Sequence, residues 1–264
     1  MHPPARGRRV LGFIAAMLSA SCSPGEKPDM SPEPPGTLTA SPTQSAALIH
    51  EKREGYREAL DQLAGVRRTL QDTYASTQSQ RERTHALEEA RAALTRTLLN
   101  DIFPAWYGTK WDFNGISEVP GEGAIACGYF VTTTLRDAGF KLPRIKLAQQ
   151  PSQTIIRSLC DPGTIRVYHE KPLDTVVQYL REQGPGLYIV GLDCHTGFVV
   201  NEGTQMRFIH SSYFRPPLAV ISESLDSDHP LRRSKYRMIG KLLGKESLLK
   251  WLQQQDIPMI KQGS

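Results

Sequence analysis

The spacing of apolar residues changes character near residue 100, and that change constrains the chain more than any other feature of its sequence. From Ala46 to Leu99 apolar residues recur at helical intervals, with Ile49, Tyr56, Leu60, Leu63, Leu70 and Tyr74 on one stretch and Leu87, Leu94 and Leu98 on another. Both stretches read as amphipathic helix. The polar run from Ser76 to Arg83 separates them. A single rod of that length would exceed roughly 80 Å at 1.5 Å per residue, so a helical hairpin over 46–100 is expected. Such an arm serves either as a coiled-coil surface for an envelope partner or as a helical layer packed on the domain that follows.

From Asp101 the texture is mixed, with Gly and Pro punctuation. Helices are expected near Thr154 to Leu159, Leu173 to Arg181 and Glu246 to Gln253, and strands at Leu187 to Leu192, Gly197 to Val200, Arg207 to His210 and Tyr236 to Leu242. That pattern predicts an α+β domain over 101–264.

The N-terminal end has a different purpose. Arg6, Arg8 and Arg9 precede an uncharged apolar run from Val10 to Leu18, followed by Ser19, Ala20 and Ser21. This is the pattern of a signal peptide over 1–21, since the run is shorter than the ~20 residues of a membrane-spanning helix. Small residues leading into Cys22 resemble a bacterial lipoprotein signal, in which that cysteine would carry a lipid anchor to the membrane. Leu18 lies four places before Cys22 where that pattern has its apolar residue at three, and ordinary cleavage beside an incidental Cys22 is the other reading. Residues 22–45 are rich in Pro, Ser and Thr and read as a tether. Either processing implies an exported, envelope-located protein. Loss of the three leader arginines lowers the formal charge from +5 to +2, which gives no case for nucleic acid as a partner.

Export also permits disulfides. Cys127, Cys160 and Cys194 remain beyond Cys22, and an odd number leaves one thiol free. If Cys160 and Cys194 pair, that thiol is Cys127.

Cys127 follows the glycine-bearing loop Gly121 to Ala126 and directly precedes a segment whose Val131, Leu135 and Ala138 mark a buried helical stripe. A cysteine at a helix start meets unpaired backbone N–H groups and the positive end of the helix dipole. These favour a thiolate and can receive an oxyanion. The matching base is expected in the segment Cys194 to His210. If Glu202 and Gly203 form a two-residue turn, Asn201 faces Thr204, and stepping back along both strands brings His195 opposite His210. Opposed side chains lie about 5 Å apart, so His210 could orient His195. Cys127, His195 and His210 are therefore the candidate catalytic residues. They lack the close paired spacing of a structural zinc site, and the chemistry requires no cofactor. The remaining histidines, His50, His85, His169 and His229, are expected at the surface.

Three ordered blocks carry a family likeness. Tyr107 to Gly115 resembles a glycine and aromatic segment ahead of a nucleophile, Ala126 to Val131 a nucleophile motif, and His195 to Val200 a base strand, with Phe208 to Ser212 following as a third-residue strand. Together, over roughly residues 101–215, they resemble the NlpC family of papain-like peptidases, whose members attack bacterial cell-wall peptides. The resemblance implies a nucleophile helix packed on a small antiparallel sheet, a Cys-His-His triad acting through an acyl-enzyme, and a peptidoglycan stem peptide or cross-bridge as substrate. The chain departs from that pattern at Ala126 and Gly128, where family endopeptidases commonly carry Asp and Ser that help hold a substrate amine. Acyl transfer on the same framework and a silent envelope-binding module are the alternatives.

Overall fold

In the computed structural model, residues 42–260 are described, with side chains from residue 54. The expected signal peptide, Cys22, most of the tether and His50's side chain lie outside this range. The described chain is α+β, with one six-stranded antiparallel sheet and helices on both of its faces.

Helix α1 (Pro42–Ser76) starts inside the stretch read as tether, with Pro42 at its first position, where a missing N–H costs nothing. The polar run contracts to a three-residue link, and α2 (Gln80–Thr97) begins at once, capped by the Ser79 side chain on the N–H of Glu82. A π-helical turn (Leu98–Ile102) and α3 (Phe103–Trp106) continue into the domain. Helix α4 (Cys127–Asp137), α5 (Arg144–Ala148), α6 (Ser152–Leu159), α7 (Leu173–Gln183), α8 (Pro230–Arg233) and α9 (Lys245–Gln253) follow.

The strands are β1 (Arg166–His169), β2 (Gly186–Leu192), β3 (Thr196–Asn201), β4 (Met206–Ser211), β5 (Val220–Ser224) and β6 (Tyr236–Lys241). Their order is β1-β6-β2-β3-β4-β5. Along β2, Leu187 and Ile189 enter one core and Tyr188 and Val190 the other. A strand covered on both faces shows no apolar and polar alternation, which explains its unbroken apolar sequence. Strands β1 and β5 have no counterpart among the expected strands. Their sequences, Arg166 to His169 and Val220 to Ser224, are half-buried or exposed at most positions and carry too few apolar residues to signal themselves.

One core contains Leu94, Leu98 and Trp106 together with Phe130 of α4, Phe198 of β3 and Trp251 of α9, so the helical arm shares the core of the sheet domain. The seam is also polar. The Tyr56 hydroxyl donates to Asp137 Oδ2 at 2.7 Å and accepts from Trp106 Nε1 at 3.2 Å. Tyr56→Phe leaves the buried indole N–H without an acceptor and is expected to destabilise the protein by about 1–3 kcal/mol, read as a lower urea midpoint. An unchanged midpoint would show that this seam carries no stability. Among the described residues, no helix is long and apolar enough to cross a membrane.

Candidate active site

The candidate nucleophile sits at the start of α4. Ala126 caps the helix in extended conformation, and its carbonyl accepts the N–H of Phe130 at 2.8 Å. The preceding loop is fastened on three sides. Ile125 N–H bonds Lys110 O at 2.9 Å, Ala126 N–H bonds Gly115 O at 2.8 Å, and Ser211 Oγ of β4 donates to Ile125 O at 2.7 Å. Arg144 of α5, almost wholly buried, donates to the carbonyls of Ile116 and Ser117, each at 2.9 Å, and to Thr133 Oγ1 at 2.7 Å. These bonds fix the loop against α4.

The glycine after the nucleophile has a packing cause. A Cβ on Gly128 would stand 2.4 Å from the carbonyl oxygen of Ala148 at the end of α5. The space in which the family resemblance would place a serine is therefore filled by backbone.

The two histidines meet, though by a route different from the one expected. The turn is centred one residue later, on Gly203 and Thr204, with Glu202 N–H bonded to Gln205 O at 2.9 Å and Gly203 at φ +88°. Asn201 therefore pairs with Met206 and Phe198 with Ile209. Continuing that register puts Gly197 opposite His210, so the two histidines are diagonal neighbours and not directly opposed. A shift of two positions keeps both on one face of the sheet, and diagonal neighbours remain within reach of long side chains. His195 Nε2 lies 2.7 Å from His210 Nδ1, with the rings nearly perpendicular at 81°.

On its other side His210 Nε2 lies 2.9 Å from Glu223 Oε1 of β5, a contact the sequence reading missed. Glu223 faces Arg215 at 3.8 Å. The ring of His210 stacks on Phe208 with centroids 4.1 Å apart. His195 is flanked by Tyr213 at 5.0 Å, and Tyr213 by Trp111 at 5.8 Å. Phe113, Ile116 and Leu218 are exposed on the same loops.

The backbone N–H groups of Thr196, the residue after His195, and of Gly128 and Cys127 itself favour the charged form of the Cys127 thiol. Burial nevertheless outweighs these donors and pushes the thiol up from its ordinary pKa. Desolvation thus opposes the helix-start donors that were expected to favour the thiolate. His195 is held well below the usual imidazole range, first by burial and then by His210. Both shifts favour a thiol beside a neutral imidazole in the resting protein. Among the described residues, His195 Nδ1 is the one buried side-chain nitrogen or oxygen without a hydrogen-bond partner.

Two further expectations change. Cys160 carries a free thiol, buried under β6 against Gly240, so it makes no bridge to Cys194. His229, expected at the surface, is fully buried. Its Nδ1 accepts the Arg232 N–H at 3.0 Å and caps α8, which satisfies the ring internally. Among the described residues no group of three His, Cys, Asp or Glu side chains could hold a metal ion. Comparison of the chain with protein-family models, with curated proteins and with solved structures finds no match.

Proposed function

We propose that the protein is an exported cysteine hydrolase of papain-like, NlpC-type character that cleaves amide bonds in peptidoglycan stem peptides or cross-bridges. The observation that carries this reading is the 2.7 Å contact between His195 Nε2 and His210 Nδ1, with the N–H of Thr196, the next residue, acting on the Cys127 thiol. It leaves Nδ1 of His195 as the one open nitrogen of the pair. As Cys127 Sγ attacks the carbonyl carbon, Nδ1 takes the thiol proton, so the charged pair forms only during the reaction. The N–H groups of Cys127 and Gly128 at the start of α4 are the donors for the carbonyl oxygen as it becomes an oxyanion. Collapse breaks the C–N bond, and the leaving amine takes its proton from His195. Water then attacks the thioester with His195 again as base, releasing a carboxylic acid and regenerating the thiol.

The export pattern and the family resemblance support the cell-wall substrate. Burial of Gly128 under Ala148 argues that any substrate amine is held differently from the family's usual manner. The exposed apolar side chains of Phe113, Ile116 and Leu218, beside Trp111 and Tyr213, favour a second reading in which an amine or lipid acceptor takes the acyl group in place of water.

Incubating the mature protein and Cys127→Ala with purified peptidoglycan and short muropeptides, followed by mass spectrometry, separates these readings. New fragments from the wild type, with a loss of at least about 10³-fold in the variant, are expected for hydrolysis. Products carrying the acceptor mass indicate transfer. Equal release by both proteins, or none from either with reduced thiol, overturns the cell-wall reading, and the latter favours a binding role.

A further inference from the structure

We propose that Glu223 is a positioning residue that sets the tautomer of both histidines and so leaves Nδ1 of His195 bare to act as the base. The inference rests on the thiol chemistry proposed above and extends it to a residue that neither the sequence motifs nor the resemblance indicates.

The argument follows from which atoms can donate. An ionised carboxylate only accepts hydrogen bonds, so the 2.9 Å contact requires His210 to carry its proton on Nε2. A neutral imidazole has one proton, which makes Nδ1 of His210 an acceptor. The 2.7 Å contact then requires His195 to donate from Nε2, and its Nδ1 is left with a lone pair. Reversing the order would put a proton on Nδ1 of His195 and leave no base for the thiol. The unpartnered state of that nitrogen is the endpoint this sequence demands.

The fold makes Glu223 the element that decides the direction. Strand β5 pairs with β4 so that Ile221 faces His210, and Glu223, two residues on, reaches the same face diagonally. The side chain is mostly buried, and Arg215 at 3.8 Å supports its charge. Phe208 fixes the plane of the His210 ring but has no polar atom with which to distinguish its two nitrogens. His229 cannot substitute, because both of its nitrogens are committed to Leu225 O and to the Arg232 N–H.

The test compares the full-length wild type with Glu223→Gln, an isosteric variant whose amide can either donate or accept. Long-range ¹H–¹⁵N NMR of histidine-labelled protein should show His195 protonated at Nε2 and bare at Nδ1 in the wild type, with both tautomers populated in the variant. The rate of Cys127 alkylation by iodoacetamide should fall on the order of 10-fold, and kcat should fall 10–100-fold with KM little changed, at an unaltered melting temperature. The proposal is overturned if wild-type His195 carries its proton on Nδ1, or if Glu223→Gln leaves the tautomers and alkylation rate unchanged. The NMR and alkylation arms use no peptide substrate, so inactivity on peptidoglycan would remove the proposed substrate and leave this test intact.

Discussion

Gly197→Ala is expected to cost the protein about 3 kcal/mol or more and to disrupt the contact between His195 and His210. A Cβ at this position would stand 2.7 Å from His210 Cβ, 2.8 Å from the Ile209 carbonyl oxygen and 2.8 Å from Phe208 Cε2. Overpacking a core by a methyl group costs about 1–3 kcal/mol when neighbours can yield. Here one neighbour is backbone in the β3–β4 ladder and another belongs to the ring stacked on His210, so relief requires separating the strands that bring the histidines together. The urea midpoint should drop sharply, and iodoacetamide should lose its preference for Cys127. Gly163→Ala is the control. Nothing lies within 4 Å of its added Cβ, and it should shift the midpoint little. Equal midpoints for the two variants would refute the packing argument.

Acid should destabilise the protein above the range in which ordinary carboxylates titrate. Burial, reinforced by His229, pushes His210 down to about 3, while in the unfolded chain it takes up a proton near 6.5. Between those limits the unfolded state binds more protons than the folded one. Stability is therefore complete above about pH 6.5 and falls as the pH drops toward His210's folded value. From pH 6 to 5 this histidine alone removes about 1 kcal/mol, and His195, also lowered by burial, acts in the same direction. Glu223, which burial raises, opposes the trend as it protonates. The check is the urea midpoint at constant ionic strength between pH 7 and 4.5, and a flat profile would contradict neutral buried histidines.

The candidate residues could be read from the sequence because each sits at a local signal: Cys127 between a glycine loop and a helix, and His195 and His210 on two strands joined by a short turn. The strand register was less legible, since Asn201, Glu202, Gly203 and Thr204 are all good turn residues, and the reversal is placed by contacts a sequence does not display, the Asn201 side chain accepting from the Gly203 N–H at 2.9 Å and Glu202 N–H bonding Gln205 O. The histidines were still placed on one face because a slip of two residues preserves facing. Glu223 was illegible for a different reason. Val220 to Ser224 lacks the apolar alternation that announces a strand, and it forms one by pairing with β4 and by the bonds of Val220 to Gly108 and Thr109. The desolvation of the thiol is illegible for a third reason: helix-start donors are visible in a sequence, whereas the depth at which they are buried is not.

Those bonds from Val220 have a mechanical consequence. The segment that bonds Val220 of β5 through Gly108 and Thr109, and Leu218 just ahead of it through Trp111, is the one that runs on into the loop carrying Cys127. The chain of contacts from sulfur to Thr196, His195, His210 and Glu223 therefore returns along β5 to the sulfur's own loop and forms a closed circuit. In a closed circuit no member can be displaced independently of the others. The relative placement of Cys127 and His195 is therefore a property of the whole ring of contacts, and the outermost strand of the sheet is part of that ring.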